Sequence, residues 1–82
     1  MGSTRHAGIR YVIWSNDHRP PHIHAFARGW EVKVAMRDSA TEKPAILTIK
    51  GNPSPGDLRK ILTYVDTHYV TLRQKWKDIH GY

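Results

Sequence analysis

The alternation of apolar and polar side chains predicts β-strands in the first half of the chain. Four segments rich in β-branched and aromatic residues carry this pattern. They are Ile9–Ser15, His22–Arg28, Trp30–Arg37 and Ala45–Lys50. Residues 1–8 are polar and show no periodicity, so they are predicted to form a loose lead-in. Arg28 and Gly29 suit a hairpin turn between the second and third predicted strands.

The last third of the chain predicts one long helix. Ser54 suits the N-cap, Pro55 suits the first helical position, and Asp57 follows the cap by three residues as in a capping box. Apolar side chains then recur at steps of three and four to about Ile79, and Gly81 is the expected stop. These are Leu58, Ile61, Leu62, Val65, Tyr69, Leu72, Trp76 and Ile79.

These elements predict a single α+β domain over residues 1–82. Its small antiparallel sheet of three to four strands would pack against one long C-terminal helix. Such a helix would be nearly 40 Å long, whereas neighbouring strands lie only about 4.8 Å apart. We therefore expect a second copy of the chain, in a homodimer, to cover part of the apolar stripe.

The period of two assigns the side chains of the sheet to two faces. Ile23, Ala25 and Ala27 are expected under the helix, with His22, His24 and Phe26 on the outer face. The neighbouring strands add Arg10, Val12, Trp14, Glu31, Lys33 and Arg37 to that outer face. A surface that mixes rings and cations is typical of sheets that bind nucleic acid. A dimer interface or a half-exposed polar sheet is the alternative.

Composition narrows the class of protein. Of 82 residues, 13 are Lys or Arg and 7 are Asp or Glu, which gives a formal charge of +6 and favours RNA or another polyanion as partner. The chain has no cysteine, which excludes disulfides, thiolate metal sites and a cysteine nucleophile. No apolar run is long enough for a membrane span and no signal peptide is evident, so a cytoplasmic location is expected.

Three of the six histidines stand close together as His18-x-x-x-His22-x-His24. In the first hypothesis they are catalytic and need no cofactor. One imidazole would take a 2′-hydroxyl proton and another would protonate the leaving oxygen, as in a metal-independent endoribonuclease. Residues expected to bind nucleic acid or a partner are Asn16, Asp17, Arg19, Arg10, Trp14, Phe26 and Lys33.

A second hypothesis makes the same three histidines metal ligands. On a strand, His22 and His24 project to one side about 6.8 Å apart at the backbone. His18 would be the third ligand of a divalent metal such as zinc, and Asp17 or water would complete the site. A third interpretation is structural: loop histidines often only bond to main-chain carbonyls.

The segment Ser15–His24 carries a Ser-Asn-Asp-His run, a Pro-Pro pair and a His-x-His pair. In these motifs the chain resembles the bacterial family catalogued as domain of unknown function 4160. The helix opening Leu58–Leu62 and the tail Leu72-x3-Trp76-x3-His80-Gly81 resemble the same family. The resemblance implies a toxin–antitoxin-like module with a cognate small protein from a neighbouring gene as partner. An antitoxin-like or inhibitory subunit without catalysis is the alternative that it leaves open.

Overall fold

Five strands form one antiparallel sheet, and two helices follow it, in the computed structural model, which describes residues 2–37, 39 and 41–82. The strands are β1 (Gly2–His6), β2 (Ile9–Ile13), β3 (His22–Ala27), β4 (Trp30–Ala35) and β5 (Ala45–Gly51); the helices are α1 (Pro55–Thr67) and α2 (Tyr69–His80). Each strand pairs with its neighbours in chain order. The α+β class and the antiparallel sheet are confirmed, whereas the numbers of strands and helices are not.

The predicted loose lead-in is wrong for residues 2–6, because they form β1. This strand pairs with β2 from Gly2 opposite Ile13 to His6 opposite Ile9. Ala7 and Gly8 connect the two strands with φ angles of 52° and 80°, the positive pair that tight hairpin turns require. The strand has the sequence Gly-Ser-Thr-Arg-His and shows no apolar alternation. Its formation therefore depends on pairing with β2 and leaves no hydrophobic pattern in the sequence.

The predicted single helix is also wrong, because it breaks at His68. That residue has φ −103° and ψ 21°, outside the helical region. Thr67, Val70 and Thr71 surround it, and β-branched side chains favour helices weakly. A straight helix over residues 55–80 would be nearly 40 Å long, but the longest extent of the molecule is 33 Å. The break thus lets one chain cover its own sheet.

Both ends of the helical region follow the sequence prediction. The Ser54 hydroxyl accepts a hydrogen bond from the Asp57 N–H, and the Asp57 carboxylate accepts one from the Ser54 N–H. The bond from the Ser54 N–H, with a smaller contribution from the Ser54 hydroxyl, holds the pKa of the Asp57 carboxyl below its usual value. Gly81 ends α2 with φ 83°. None of the helices in the described residues is both long and apolar enough to cross a membrane.

The core lies between the inner face of the sheet and the two helices. The helices contribute Ile61 and Val65 from α1, and Leu72 and Trp76 from α2. The sheet contributes Ile9, Tyr11, Ile13, Ile23, Ala25, Val32, Val34 and Met36. Ile23 and Ala25 face the helices as the alternation predicted. Tyr64 also joins this layer, with its ring stacked on Tyr11 at 4.0 Å.

Candidate metal centre

The segment between β2 and β3 folds back on itself and fixes the orientation of one carboxylate. The Asp17 N–H donates to the carbonyl oxygen of Trp14 at 3.2 Å. The Trp14 N–H donates in turn to Oδ2 of Asp17 at 3.1 Å. With Oδ2 bound to the main chain, Oδ1 is the oxygen that faces the histidines of β3. The Arg19–Pro20 peptide bond that follows is cis.

Two histidines of β3 direct the same ring nitrogen at that oxygen. Nε2 of His22 lies 3.5 Å from Asp17 Oδ1, and Nε2 of His24 lies 3.4 Å from it. All three ligand atoms lie within 4.8 Å of one another. His22 is 6% exposed and His24 is 9% exposed, so the group is removed from bulk water. Strand alternation predicted that these two imidazoles share a side, but not that they are buried.

The second nitrogen of each imidazole is held by a hydrogen-bond acceptor. Nδ1 of His22 donates to the carbonyl oxygen of Pro20 at 2.7 Å. Nδ1 of His24 donates to Oε2 of Glu31 at 3.0 Å. Because these two oxygens can only accept, each Nδ1 carries a proton, and in the neutral ring each Nε2 presents a lone pair. Metal-binding histidines show this same arrangement of outer partners.

The separations of the two imidazole nitrogens from Asp17 Oδ1 suit a small divalent cation. Zinc bonds to imidazole nitrogen and carboxylate oxygen are about 2.0–2.2 Å long, so tetrahedral neighbours lie roughly 3.4 Å apart. The two separations from Asp17 Oδ1, 3.4 and 3.5 Å, match that value. The same separations are long for a hydrogen bond. Two imidazoles and one carboxylate leave at least one coordination position for water or substrate.

Aromatic rings enclose the group on the outer face of the sheet. The Phe26 ring lies parallel to that of His24 at 6.1 Å, and the Trp14 ring meets His24 edge-on at 6.4 Å. Val12, which pairs with His24 across the two strands, is fully buried. This shell lowers the local dielectric and strengthens the interaction of a bound cation with its ligands.

The end of α2 contacts the centre from the other side. The Trp76 ring lies 5.5 Å from that of His22, and the His80 ring stacks on Trp76 at 3.7 Å. Nδ1 of His80 lies 3.0 Å from the Trp76 carbonyl oxygen, and its Nε2 lies 3.0 Å from the Trp14 carbonyl oxygen. Both partners are acceptors, so only the doubly protonated imidazole donates both bonds. The Arg19 guanidinium lies over the Tyr82 ring at 4.1 Å.

A cavity of about 220 Å³ opens beside the centre. Two members of the ligand group, Asp17 and His22, line it directly. The remaining wall consists of Asn16, His18, Arg19, Pro20, Lys33 and Leu47. Leu47 is the extra residue of a bulge in β5, where the register moves between Lys33 and Val34. Apart from Asp17 the charged side chains of this wall are cationic, which favours an anionic occupant.

The structure brings together only part of the predicted site. His22, His24 and Asp17 converge, whereas His18 is exposed and lies outside the ligand group. Asn16, Arg19 and Lys33 line the cavity, and Trp14 and Phe26 surround His24. Arg10 is exposed opposite Phe26, with its Nε donating to Ser3.

Sequence reasoning did not include Glu31 or His80 in the site. The sequence could have predicted a position for Glu31 near His24. The hairpin at Arg28 and Gly29 places Glu31 opposite Phe26 and diagonal to His24 on one face of the sheet. His80 has no such signal, because it reaches Trp14 across 66 positions of the chain.

These features define a small α+β protein in which two histidines of the sheet and one aspartate of the preceding loop converge. The family model described as "Domain of unknown function (DUF4160)" matches residues 8–77. The chain belongs to this family. No curated protein and no solved structure gives a significant match.

Proposed function

We propose that this protein binds a divalent transition metal, zinc in the first place, through Asp17, His22 and His24. The observation that carries the proposal is the convergence of two buried Nε2 atoms on one carboxylate oxygen while both Nδ1 atoms are held by acceptors. Asp17 thereby takes the position that the sequence hypothesis gave to His18.

The ligand set supports a reactive or ligand-binding centre better than a structural one. Structural zinc sites use four protein ligands, whereas catalytic sites use three and keep one position open. The described residues supply three here, next to a cavity. A metal in such a site polarises a bound oxygen and makes water acidic near neutral pH. The chain's own part is to hold the ligands, exclude water on the aromatic side and attract an anion through Arg19 and Lys33.

Metal binding is tested with protein purified without a histidine tag. Zinc affinity is measured by competition with a chromophoric chelator and stoichiometry by elemental analysis. We expect one zinc per chain in the wild type. His22→Ala, His24→Ala and Asp17→Asn should each weaken binding at least 100-fold, whereas the matched variant His18→Ala should bind like wild type. Substoichiometric metal, or equal loss in His18→Ala, would contradict the proposal.

RNA cleavage is the second candidate function, supported by the cations beside the centre. The rings of His22 and His24 lie 5.1 Å apart, close enough for both to serve one phosphodiester, with Arg19 or Lys33 next to the phosphate. A chelator separates the two mechanisms. Cleavage that survives chelation and is lost in the His22→Ala/His24→Ala double variant supports metal-independent acid–base catalysis. Cleavage restored only by added metal supports the metal centre.

A toxin–antitoxin role would add a protein partner, and the free edge of β5 supports this. Among the strands that the structure describes, β5 pairs only with β4, and Leu47 and Ile49 on it are 42% and 47% exposed. Exposed edges of this kind invite pairing with another chain. Co-expression with the neighbouring gene product and size-exclusion chromatography test the hypothesis; failure to co-elute would contradict it.

A further inference from the structure

A second groove lies on the helix side of the sheet, between the β1–β2 turn and α1. Its volume is about 550 Å³. Besides Tyr64, the polar side chains that line it are those of His6, Arg59, Lys60, Thr63, Thr67 and His68. All six are exposed. None of the side chains described along this groove is a carboxylate, so its wall offers hydrogen-bond donors and positive charge.

Helix geometry arranges these donors in two parallel rows. Arg59, Thr63 and Thr67 follow one another at steps of four, and Lys60, Tyr64 and His68 do the same beside them. Eight residues of α-helix rise about 12 Å. The donors therefore form a strip along the groove, longer than a single phosphate group needs, and continuous enough to follow a strand with repeated charges.

Aromatic rings form the floor of the strip. Tyr64 stacks on the buried Tyr11 at 4.0 Å, which fixes its position. The exposed imidazoles of His6 and His68 flank it at 5.2 and 4.6 Å. Burial raises the pKa of Tyr64, so its phenol stays neutral and does not repel an anion. Exposed rings beside cations are the combination with which proteins bind single strands.

We propose that this groove binds the sugar–phosphate backbone of single-stranded nucleic acid, RNA in the first place. Arg59 and Lys60 contact phosphates, the threonine hydroxyls add hydrogen bonds, and the outer faces of His6 and His68 stack on bases. A phosphopeptide is the poorer fit, because it carries isolated phosphates and does not use a 12 Å strip of donors.

The groove is separate from the candidate metal centre. His6 of β1 pairs with Ile9 at one end of β2, and Trp14 follows the other end of β2; a strand of this length spans roughly 17 Å. Nucleic-acid binding here does not depend on metal binding at Asp17, His22 and His24. The two proposals can therefore fail independently.

The affinity of the full chain for a labelled 12-nucleotide oligouridylate, measured by fluorescence anisotropy, tests the proposal. Arg59→Ala/Lys60→Ala should weaken binding at least tenfold. The matched control Lys43→Ala/Lys77→Ala removes the same charge from other exposed positions and should change the affinity less than threefold. Arg59→Lys/Lys60→Arg keeps the charges and should restore most of the affinity. In Arg59→Ala/Lys60→Ala the plot of log K against log salt should be less steep by about 1.4, since each of the two lost phosphate contacts on a single strand contributes about 0.7 to the steepness.

Three further measurements decide the ligand and the site. A DNA strand of equal length tests the preference for RNA, and millimolar inorganic phosphate competes with the probe. Displacement of the oligonucleotide by free phosphate alone would overturn strand binding in favour of a single-anion site. Equal losses of strand affinity in Arg59→Ala/Lys60→Ala and in the control Lys43→Ala/Lys77→Ala would contradict binding in this groove. Strand affinity should be the same with and without a chelator, and a loss on chelation would place the strand at the metal centre instead.

Discussion

Nε2 of His80 lies 3.0 Å from the carbonyl oxygen of Trp14, which also accepts the N–H of Asp17. The end of α2 therefore holds the turn from which the Asp17 carboxylate projects. The same helix end places Trp76 against His22. Two of the three proposed ligands thus depend for their position on a helix that contributes no ligand itself.

His80 is therefore predicted to be a positioning residue for metal binding. His80→Ala should weaken zinc affinity about tenfold, the lower end of the range for outer partners of metal ligands. His80→Gln can restore one of the two hydrogen bonds and should fall between wild type and alanine. His68→Ala, at the other end of α2, is the control and should leave zinc affinity unchanged. Zinc affinities that do not follow this order would contradict the role.

Glu31 is predicted to fix the tautomer of His24. Glu31→Gln keeps an oxygen acceptor near Nδ1 but removes the negative charge from this outer partner of a proposed metal ligand, so zinc affinity should fall about 10- to 100-fold. Asp78→Asn removes one negative charge from the exposed face of α2 and serves as control. Chelator competition on both variants measures the effect. Equal affinities for the two would remove Glu31 from the site.

Alkaline pH is predicted to destabilise the fold through Tyr11. Burial, with a smaller contribution from Tyr64, raises the pKa of Tyr11 to about 12. The unfolded chain ionises this phenol near pH 10, so its contribution is complete below pH 10 and is lost as the pH rises to 12. Two pKa units correspond to roughly 3 kcal/mol at most.

Urea unfolding from pH 8 to pH 12 measures this loss. Tyr11→Phe should show a shallower decline than wild type above pH 10, and a constant difference from it at lower pH. Absorbance at 295 nm follows the ionisation directly. Parallel curves over the whole range would contradict the assignment to Tyr11.

Gly51 is predicted to be much less tolerant of substitution than Gly29. Both have positive φ angles, 81° and 85°. A Cβ at Gly51 would collide with the carbonyl oxygen of Gly29, whereas a Cβ at Gly29 meets nothing within 4 Å. Gly29→Ala should cost about 1–2 kcal/mol from the backbone conformation alone, and Gly51→Ala clearly more. Chemical denaturation of the two variants tests this, and equal costs would contradict it.

Local patterns predicted the parts of this fold that rest on neighbours in sequence. The alternation in β3 predicted that His22 and His24 share one side of the strand, and Ser54 and Asp57 predicted the start of α1. Polar β1 has no pattern of its own because pairing with β2 forms it. The sequence also did not indicate the break at His68, because the apolar spacing continues across it. Only the packing of both α1 and α2 on one small sheet requires the bend.

The proposed ligands and the Glu31 partner all belong to residues 17–31, one hairpin and the turn before it. Little chain entropy is lost in closing such short loops, so this segment can assemble ahead of the distant contacts made by α2. The coordinating atoms therefore belong to one local segment of the chain, whereas the contacts that help to fix their position come from the distant helix α2. If the hairpin alone were transferred to another antiparallel sheet, it would contain the coordinating atoms but would lack the contacts with α2.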